Sequence, residues 1–353
     1  MQFMRMTALA LALAALAPAA RGMDRLSCEK TGDHVYRISF AAGAKDGEIA
    51  IYASSRANGI DSRTPVAKTR TSPVDVTAAG DGRIYFHLKP KSGPTRVVSL
   101  RRVPVDGAPN LRDLGGYATS DGRHVRWGVA FRSGQLDKLT EKDYRTVSAL
   151  GLRLICDFRL ERERKSNPTN WTPVPQPVFV LNPIDSFMPR VAAGGANQAA
   201  AQPPQSLPEY WWVPNASQQY GDLFRRVAAG EVPFLFHCAA GKDRAGTFAA
   251  LLLTALGAPR ETVMEDYRLT NAYLVPDSRI PQLAASLQRR RNLPEPPDAD
   301  TVRGASGGVN PKWLTEAFAA IEQKHGSVDN YLRDELKLTP ADLAALRARL
   351  LEP

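Results

Sequence analysis

Cysteine is scarce in this chain, which has only Cys28, Cys156 and Cys238 among its 353 residues. An odd number of thiols excludes a disulfide-rich scaffold and leaves at least one thiol free. Beyond the N-terminus, no apolar run is long enough to cross a bilayer. The sequence also lacks a long basic block or an aromatic-plus-basic array, so nucleic acid is not an expected partner. It contains no metal-ligand cluster and no nucleotide fingerprint, so we expect no metal and no cofactor.

The chain does have an excess of positive charge, with 46 Lys and Arg against 36 Asp and Glu and a formal net charge of +10. This balance favours anionic partners such as phosphate esters, although it does not choose among them. Apolar residues make up 43% and charged residues 23% of the chain, which is ordinary for a globular protein.

Residues 1–19 have the pattern of a secretory signal peptide. Arg5 provides a positive start, an Ala/Leu run follows, and residues 17–19 have the small-x-small form of a cleavage site. The apolar run is too short for a membrane-spanning helix, which needs about 20 residues. We therefore expect an exported protein, periplasmic or secreted, without an integral membrane span; an uncleaved N-terminal anchor is the alternative.

Residues 20–105 are predicted to form a small β-sandwich-like domain. Apolar and polar residues alternate over 34–40, 48–52 and 83–88, and Gly-containing turn signals lie between these segments. No cluster of candidate catalytic acids and bases occurs there, so we interpret this domain as a binding or packing module, and the pattern does not indicate its function.

From residue 106 to residue 353, short apolar strands alternate with helices. This order predicts an α/β domain with a mainly parallel sheet flanked by helices. The predicted strands are Arg153–Phe158 and Val232–Phe236. The predicted helices are Lys138–Leu150, Ser217–Ala229, Arg244–Leu256, Pro311–Lys324, Val328–Leu336 and Pro340–Leu351. Residues 186–209 and 293–310 are rich in proline and small residues and are predicted to be mobile loops or a lid.

The segment that carries the chemistry joins the strand that ends at Phe236 to the helix that begins at Arg244. It reads His237-Cys238-Ala239-Ala240-Gly241-Lys242-Asp243-Arg244-Ala245-Gly246. Backbone N–H groups at a helix N-terminus converge on an anion, and the helix dipole adds positive potential there. The glycine lets the loop curl toward that anion. The sequence therefore predicts a phosphate-binding loop in which the thiolate of Cys238 lies beneath the phosphorus and Arg244 grips two oxygens.

This segment resembles the signature loop of the cysteine-dependent protein tyrosine phosphatase superfamily. Its Gly-Lys-Asp-Arg sequence resembles that of the bacterial triple-specificity tyrosine/lipid phosphatases. Further segments resemble motifs of the same subfamily, namely Asn110–Gly116, Phe131–Leu136, Leu154–Arg159 and the C-terminal part from Tyr331 to Leu351. The resemblance covers about residues 105–351, and it implies a tyrosine-phosphatase-like fold and a mechanism that needs no cofactor.

The resemblance also implies roles for individual residues. Cys238 would be the nucleophile and Arg244 the phosphate clamp. Asp243 is the first candidate for the acid that protonates the leaving group, and Asp185 is the second. Helix capping is the alternative role for Asp243.

The other candidate substrate-binding residues surround these groups. His237 would buttress the loop, and Lys242 would add positive charge at its mouth. Five further candidates belong to the loop or to the start of its helix: Ala239, Ala240, Gly241, Ala245 and Gly246. Two others, Arg132 and Asp157, would orient the loop or line its rim.

Two residues near Cys238, namely Ala245 and Cys156, bear on its activity. The family usually has Ser or Thr after the arginine, which helps water to break the phosphocysteine, whereas this chain has Ala245. Turnover is then expected to be slower unless Thr247 or another group substitutes. Cys156 lies on the neighbouring predicted strand, where it is either a packing residue or the partner of Cys238 in a reversible disulfide.

Three functions are compatible with this sequence. The first is a phosphatase for phosphotyrosine, extended to phosphoserine, phosphothreonine and phosphoinositides. The second is a phosphatase for soluble inositol phosphates, which suits a basic exported protein. The third is a phosphate-binding protein with weak or no catalysis, which Ala245 favours and the intact Cys238–Arg244 pair disfavours.

Overall fold

A computed structural model describes residues 26–41, 47–80, 82–186 and 213–353. The predicted signal peptide (1–19) and nearly all of the predicted loop at 186–209 lie outside the described residues. No helix within the described ranges is both long enough and apolar enough to cross a bilayer.

The N-terminal strands form two antiparallel sheets, which confirms the predicted β-sandwich. In the described residues the strands are β1 Ser27–Gly32, β2 Val35–Ser39, β3 Ile49–Ser54, β4 Ala67–Thr69, β5 Val74–Thr77, β6 Tyr85–Pro90 and β7 Arg96–Ser99. One sheet has the order β1-β2-β5 and the other the order β4-β3-β6-β7. Along each strand, side chains at a spacing of two point to the same face. Ile38 of β2, Ile51 of β3 and Phe86 of β6 therefore meet in one buried core that both sheets share. We call this module the N-terminal sandwich.

The larger sheet belongs to the C-terminal part of the chain. Its elements are β8 Arg112–Asp113, β10 Ala130–Ser133, β11 Leu154–Asp157, β12 Val178–Leu181 and β13 Phe234–His237, while β9 His124–Val125 and β14 Leu351–Glu352 pair separately. The strand order is β12-β11-β13-β10-β8. Strands β10 to β13 are parallel, and β8 is antiparallel to β10. The apolar runs of β11 and β13 are buried on both faces, as expected for central parallel strands.

Helices cover both faces of this sheet. They are α1 Glu141–Ser148, α2 Glu161–Ser166, α3 Ser217–Ala229, α4 Arg244–Ala255, α5 Arg260–Arg268, α6 Thr270–Tyr273, α7 Ile280–Arg291, α8 Ala299–Ala305, α9 Pro311–His325, α10 Val328–Asp334 and α11 Pro340–Leu350. Helix α4 is buried on almost every side, as its apolar sequence predicts. The mainly parallel α/β sheet with flanking helices is therefore confirmed.

The predicted boundaries hold closely for α3, α4 and the three C-terminal helices. Helix α1 begins at Glu141 rather than at Lys138, because Thr140 and Asp143 form a capping box there. The prediction of an unstructured loop over 293–310 was wrong in part, since α8 lies within it. Asp298 caps α8 by accepting a hydrogen bond from the backbone N–H of Thr301, and the surrounding Pro and Gly residues obscure this short helix in the sequence.

The sheet separates two apolar layers at the site. Phe131, Ile155 and Leu235 face one layer, whereas Cys156 and Phe236 face the other, which contains α4. The carboxyl ends of β10, β11 and β13 lie together at one edge, where ligands bind in open parallel sheets.

Candidate active site

Residues 238–243, which we call the phosphate loop, connect β13 to α4. Cys238 follows the strand directly and is only 2% exposed. Gly241 has φ of 69°, in the left-handed region that favours glycine. An added Cβ at Gly241 would lie 2.5 Å from the backbone of Ser133, so the loop also needs glycine for this close approach.

The carbonyl groups of the phosphate loop are turned toward the protein. The Ala239 carbonyl oxygen accepts a hydrogen bond from the backbone N–H of Gln135 at 2.9 Å. The Gly241 carbonyl oxygen accepts from Arg132 Nη2 at 2.7 Å and from Asn110 Nδ2 at 2.9 Å. Among the described residues, no hydrogen-bond partner is found for the backbone N–H groups from Ala239 to Lys242. These N–H groups are thus available for an anion above the loop.

Arg244 is held by a carboxylate that the sequence analysis did not identify. Its Nη1 and Nη2 atoms each lie 2.7 Å from an oxygen of Glu163 in α2. Burial alone would raise the pKa of Glu163, but the hydrogen bonds from Arg244 prevail and keep that pKa below its usual value. This two-point pair orients the planar guanidinium, and Nη1 also donates to the carbonyl oxygen of Phe158 at 3.2 Å. Within the described residues, Nε and the second N–H of Nη2 are left for a ligand.

A buried ionic cluster supports the phosphate loop from below. Asp266 in α5 accepts from Arg112 Nε at 2.9 Å, from Arg132 Nη1 at 2.6 Å and from the Tyr117 hydroxyl at 3.1 Å. Burial would raise the pKa of Asp266, but the two arginines outweigh it and hold the carboxyl ionised. Because Arg132 also bonds the carbonyl of Gly241, the cluster sets the position of the loop backbone.

His237 and Asp157 lie side by side at the ends of β13 and β11. His237 Nδ1 is 3.3 Å from the carbonyl oxygen of Cys238, and its Nε2 is 3.7 Å from Asp157 Oδ2. Burial lowers the pKa of His237, although the neighbouring Asp157 carboxylate opposes this shift. Asp157 is in turn held by Arg159 at 2.8 Å. His237, Asp157 and Arg132 are all buried. His237 and Arg132 contact carbonyl groups of the phosphate loop, and Asp157 contacts His237.

Both candidate acids lie close to this centre. Asp243 occupies the N-cap position of α4, but its side chain makes no capping hydrogen bond, so the capping role is not what the structure shows. Asp185 is exposed and follows Ile184, whose carbonyl oxygen is 3.5 Å from Arg244 Nη1. Asp243 therefore precedes Arg244 directly in the chain, and Asp185 follows a residue whose carbonyl oxygen faces the Arg244 guanidinium.

The other predicted residues occupy distinct positions. Lys242 Nζ donates to the carbonyl of Gly307 at 3.3 Å and lies 5.7 Å from the centre of the Trp313 ring. Ala245 is fully buried at the start of α4. A Cβ at Gly246 would lie 2.9 Å from Arg132 Nη2, so this glycine makes room for the arginine that holds the loop.

The cysteines differ in their surroundings. All three are free thiols in the structure. Cys156 lies opposite Phe236, not opposite Cys238, in the register of β11 and β13. Burial raises the pKa of the Cys156 thiol, which is the environment of a packing cysteine.

Comparison with known proteins agrees with this geometry. A family model described as "Tyrosine phosphatase family" matches residues 103–352. A Cupriavidus necator protein named as a tyrosine-protein phosphatase is 34% identical over 255 residues, which cover 70% of this chain and 87% of that protein. The triple specificity protein phosphatase PtpB of Mycobacterium tuberculosis is 31% identical over 272 residues, or 67% of this chain and 94% of PtpB.

A solved structure of TpbA from P. aeruginosa is similar at 17% identity and a TM-score of 0.28, over 52% of this chain and 89% of that one. The sequence relatives and the family match carry the assignment. A strand–loop–helix phosphate site with a nucleophilic cysteine defines a cysteine-dependent phosphatase, and this chain belongs to the tyrosine phosphatase family.

Proposed function

We propose that this chain is an exported phosphatase that hydrolyses phosphotyrosine through a phosphocysteine intermediate, with phosphoserine, phosphothreonine and phosphoinositides as further substrates. The observation that carries the proposal is the phosphate loop itself. Cys238 lies at its base, its carbonyl groups are tied back, and Glu163 orients Arg244 beside it. Export rests on the pattern of residues 1–19.

The reaction uses these groups in two steps. The thiolate of Cys238 attacks phosphorus, the ester bond breaks, and Asp243 gives its proton to the departing oxygen. Water then attacks the phosphocysteine, gives a proton to the same carboxylate, and releases inorganic phosphate with the thiolate restored. Loop N–H groups and Arg244 stabilise the charge on the equatorial oxygens in both steps.

A phosphatase for soluble inositol phosphates is the second candidate. The net charge of +10 and the position of Lys242 within the phosphate loop favour it. A catalytically weak phosphate-binding protein is the third, and Ala245 is the feature that favours it.

The direct test measures phosphate release from p-nitrophenyl phosphate with reductant and a metal chelator. We expect activity in the mature protein, none in Cys238→Ser, and normal activity in the matched control Cys156→Ser. A wild-type protein that is folded but inactive would contradict the enzymatic proposal and favour the phosphate-binding function. Equal losses in both cysteine variants would point to misfolding rather than to loss of the nucleophile.

A further inference from the structure

Strand β12 forms one edge of the five-stranded sheet, and in the described residues it pairs only with β11. The backbone N–H groups of Val178 and Asn182 donate to carbonyl oxygens on the β11 side, at 2.8 and 3.0 Å. Successive backbone groups of an extended strand point to opposite edges. The N–H and C=O groups of Phe179 and Leu181 therefore point away from β11, toward the free edge of the sheet.

Exposed apolar side chains are concentrated on and beside this edge. Of the six large apolar residues that are exposed in the described part of the chain, four lie here: Val174, Val178, Phe179 and Leu181. Phe179 and Leu181 share one face of the sheet, because they are two residues apart. The Phe179 ring packs edge-on against Trp171, with 5.8 Å between the ring centres, which holds it on that face. An apolar patch of this kind marks a surface that associates with another molecule.

The same edge carries no charge. No Asp, Glu, Lys or Arg occurs from Thr172 to Ile184, in a chain whose net charge is +10. Sheet edges are commonly protected by charged residues that oppose pairing with a further strand. A partner strand with acidic or basic residues would have to desolvate them here without an opposite charge. The charge pattern therefore favours a second copy of this uncharged edge over a charged peptide.

Prolines limit how far a second strand can pair with this edge. The next outward-facing positions on either side of β12 are Pro177 and Pro183, and proline has no N–H group to donate. The carbonyl oxygen of Pro183 already accepts a hydrogen bond from Gln219 Nε2 at 3.3 Å. Pairing is thus confined to the two outward-facing residues of β12 itself.

We propose that two copies of this chain pair through β12 about a two-fold axis at Val180, which joins their sheets into one continuous sheet. In this antiparallel register, Phe179 of each copy lies opposite Leu181 of the other, and the outward N–H and C=O groups of both residues are hydrogen-bonded. The same pairing brings the side chains of Phe179 and Leu181 from both copies together as one apolar cluster. The dimer does not depend on the phosphatase reaction.

The paired surface is small. Roughly five residues of each strand take part, with Val174 beside them, whereas a standard interface has roughly 20–30 residues a side. We therefore expect a reversible dimer with a dissociation constant in the micromolar range. Because the chain has a net charge of +10, salt should screen the repulsion between the two copies and strengthen the dimer.

Sedimentation velocity in reductant, at protein concentrations up to about 200 µM, tests the surface. Leu181, which is 57% exposed, lies at the centre of the apolar cluster. Leu181→Lys places a cation there, and we expect the dissociation constant to rise at least about tenfold. Ile60→Lys adds the same charge at a side chain of the N-terminal sandwich that is 39% exposed, and it should dimerise like the wild type. Unchanged Tm and unchanged hydrolysis of p-nitrophenyl phosphate show that both variants are folded.

Cysteine cross-linking tests the register. In the proposed pair Val180 lies opposite its own copy at a non-hydrogen-bonded position, with Cα atoms about 4.5 Å apart, which suits a disulfide. The two copies of Val178 are four residues out of register and at least about 13 Å apart. We expect Val180→Cys to form a disulfide-linked dimer under mild oxidation and Val178→Cys to form none, although the Val178 side chain is more exposed. Mass spectrometry of the linked peptides separates this product from one formed through the native thiols.

Three outcomes overturn the inference. A protein that stays monomeric up to the highest concentration would show that this edge is covered within one molecule or takes a different partner. A dimer that survives Leu181→Lys, or that weakens as salt rises, would place the contact on another surface. Equal cross-linking of the two cysteine variants would contradict the register and reject the two-fold pairing.

Discussion

Arg83 of the N-terminal sandwich and Asp113 of β8 form an ion pair with 3.0 Å between Nη2 and Oδ2, and both side chains are buried. Asp113 also accepts the backbone N–H groups of Gly115 and Gly128. Arg112, the preceding residue in β8, belongs to the Asp266 cluster that holds the phosphate loop. The sandwich, which precedes the family match at 103–352, is thus fastened to a strand that supports the site.

Replacing Arg83 is expected to destabilise the protein strongly. Arg83→Met leaves the Asp113 carboxylate buried without its cation, a change that costs about 3–5 kcal/mol. Denaturant unfolding measures the loss. The control is Arg37→Met, which removes the solvent-exposed pair with Asp75 in the same sandwich and should change the stability little, because water screens exposed ion pairs. A similar decrease in the free energy of unfolding in the two variants would show that burial does not make the Arg83–Asp113 pair more important for stability than an exposed pair.

Glu163→Gln is expected to weaken catalysis by releasing Arg244. A hydrogen bond between charged groups contributes about 1.5–3 kcal/mol, which corresponds to a loss of roughly 10- to 100-fold in kcat/KM. The assay is p-nitrophenyl phosphate hydrolysis. Glu161→Gln in the same helix is the control, because its partner is the exposed Lys165 and it should retain wild-type activity. Wild-type activity in Glu163→Gln would mean that Arg244 is oriented without this carboxylate.

Acid is expected to unfold the protein partly through Asp266. Arg112 and Arg132 hold the pKa of Asp266 well below its unfolded value of about 3.9, although burial opposes them. A depressed native pKa contributes stability that is complete above the unfolded pKa and is lost as pH falls toward the native one. The free energy of unfolding should therefore fall below about pH 4–5 in the wild type, and less steeply in Asp266→Asn. Equal slopes in the two proteins would contradict this.

Gly241→Ala is expected to disrupt the phosphate loop. The residue has φ of 69°, and its Cβ would overlap the backbone of Ser133 at 2.5 Å. We expect at least about a tenfold loss in kcat/KM and in inhibition by inorganic phosphate, since a shift of the loop moves its N–H groups away from the anion. Gly304→Ala is the control, because no atom lies within 4 Å of its added Cβ. Normal phosphate inhibition in Gly241→Ala would show that the loop tolerates a side chain there.

Ala245→Thr is expected to raise turnover, because a hydroxyl next to Arg244 can orient the water that breaks the proposed phosphocysteine intermediate. The measurement is the steady-state rate after correction for any burst. An unchanged or lower rate would reject the idea. Thr247 is the alternative source of a hydroxyl, and its Oγ1 atom is buried without a partner among the described residues. If Thr247 serves this step, Thr247→Ala lowers the steady-state rate and leaves the burst unchanged.

Helices and strands with a clear periodic pattern could be predicted from the sequence. Helix α3 has the predicted bounds, Ser217–Ala229, and α4 differs by one residue at its end. Short polar elements could not be predicted in this way. Strand β1 (Ser27–Gly32) is mostly exposed and lacks alternation, so pairing with β2, rather than its own pattern, makes it a strand.

The sequence by itself determined the phosphate loop, because the strand, Cys238, Gly241, Arg244 and the buried helix are contiguous and their chemistry follows from local geometry. Only the tertiary structure decided which groups hold that loop in place. Glu163 lies 81 residues from Arg244, and Asp266 lies 134 residues from Arg132. Such partners are selected by the packing of distant helices against one sheet, and no local periodicity in the sequence encodes which two charges meet.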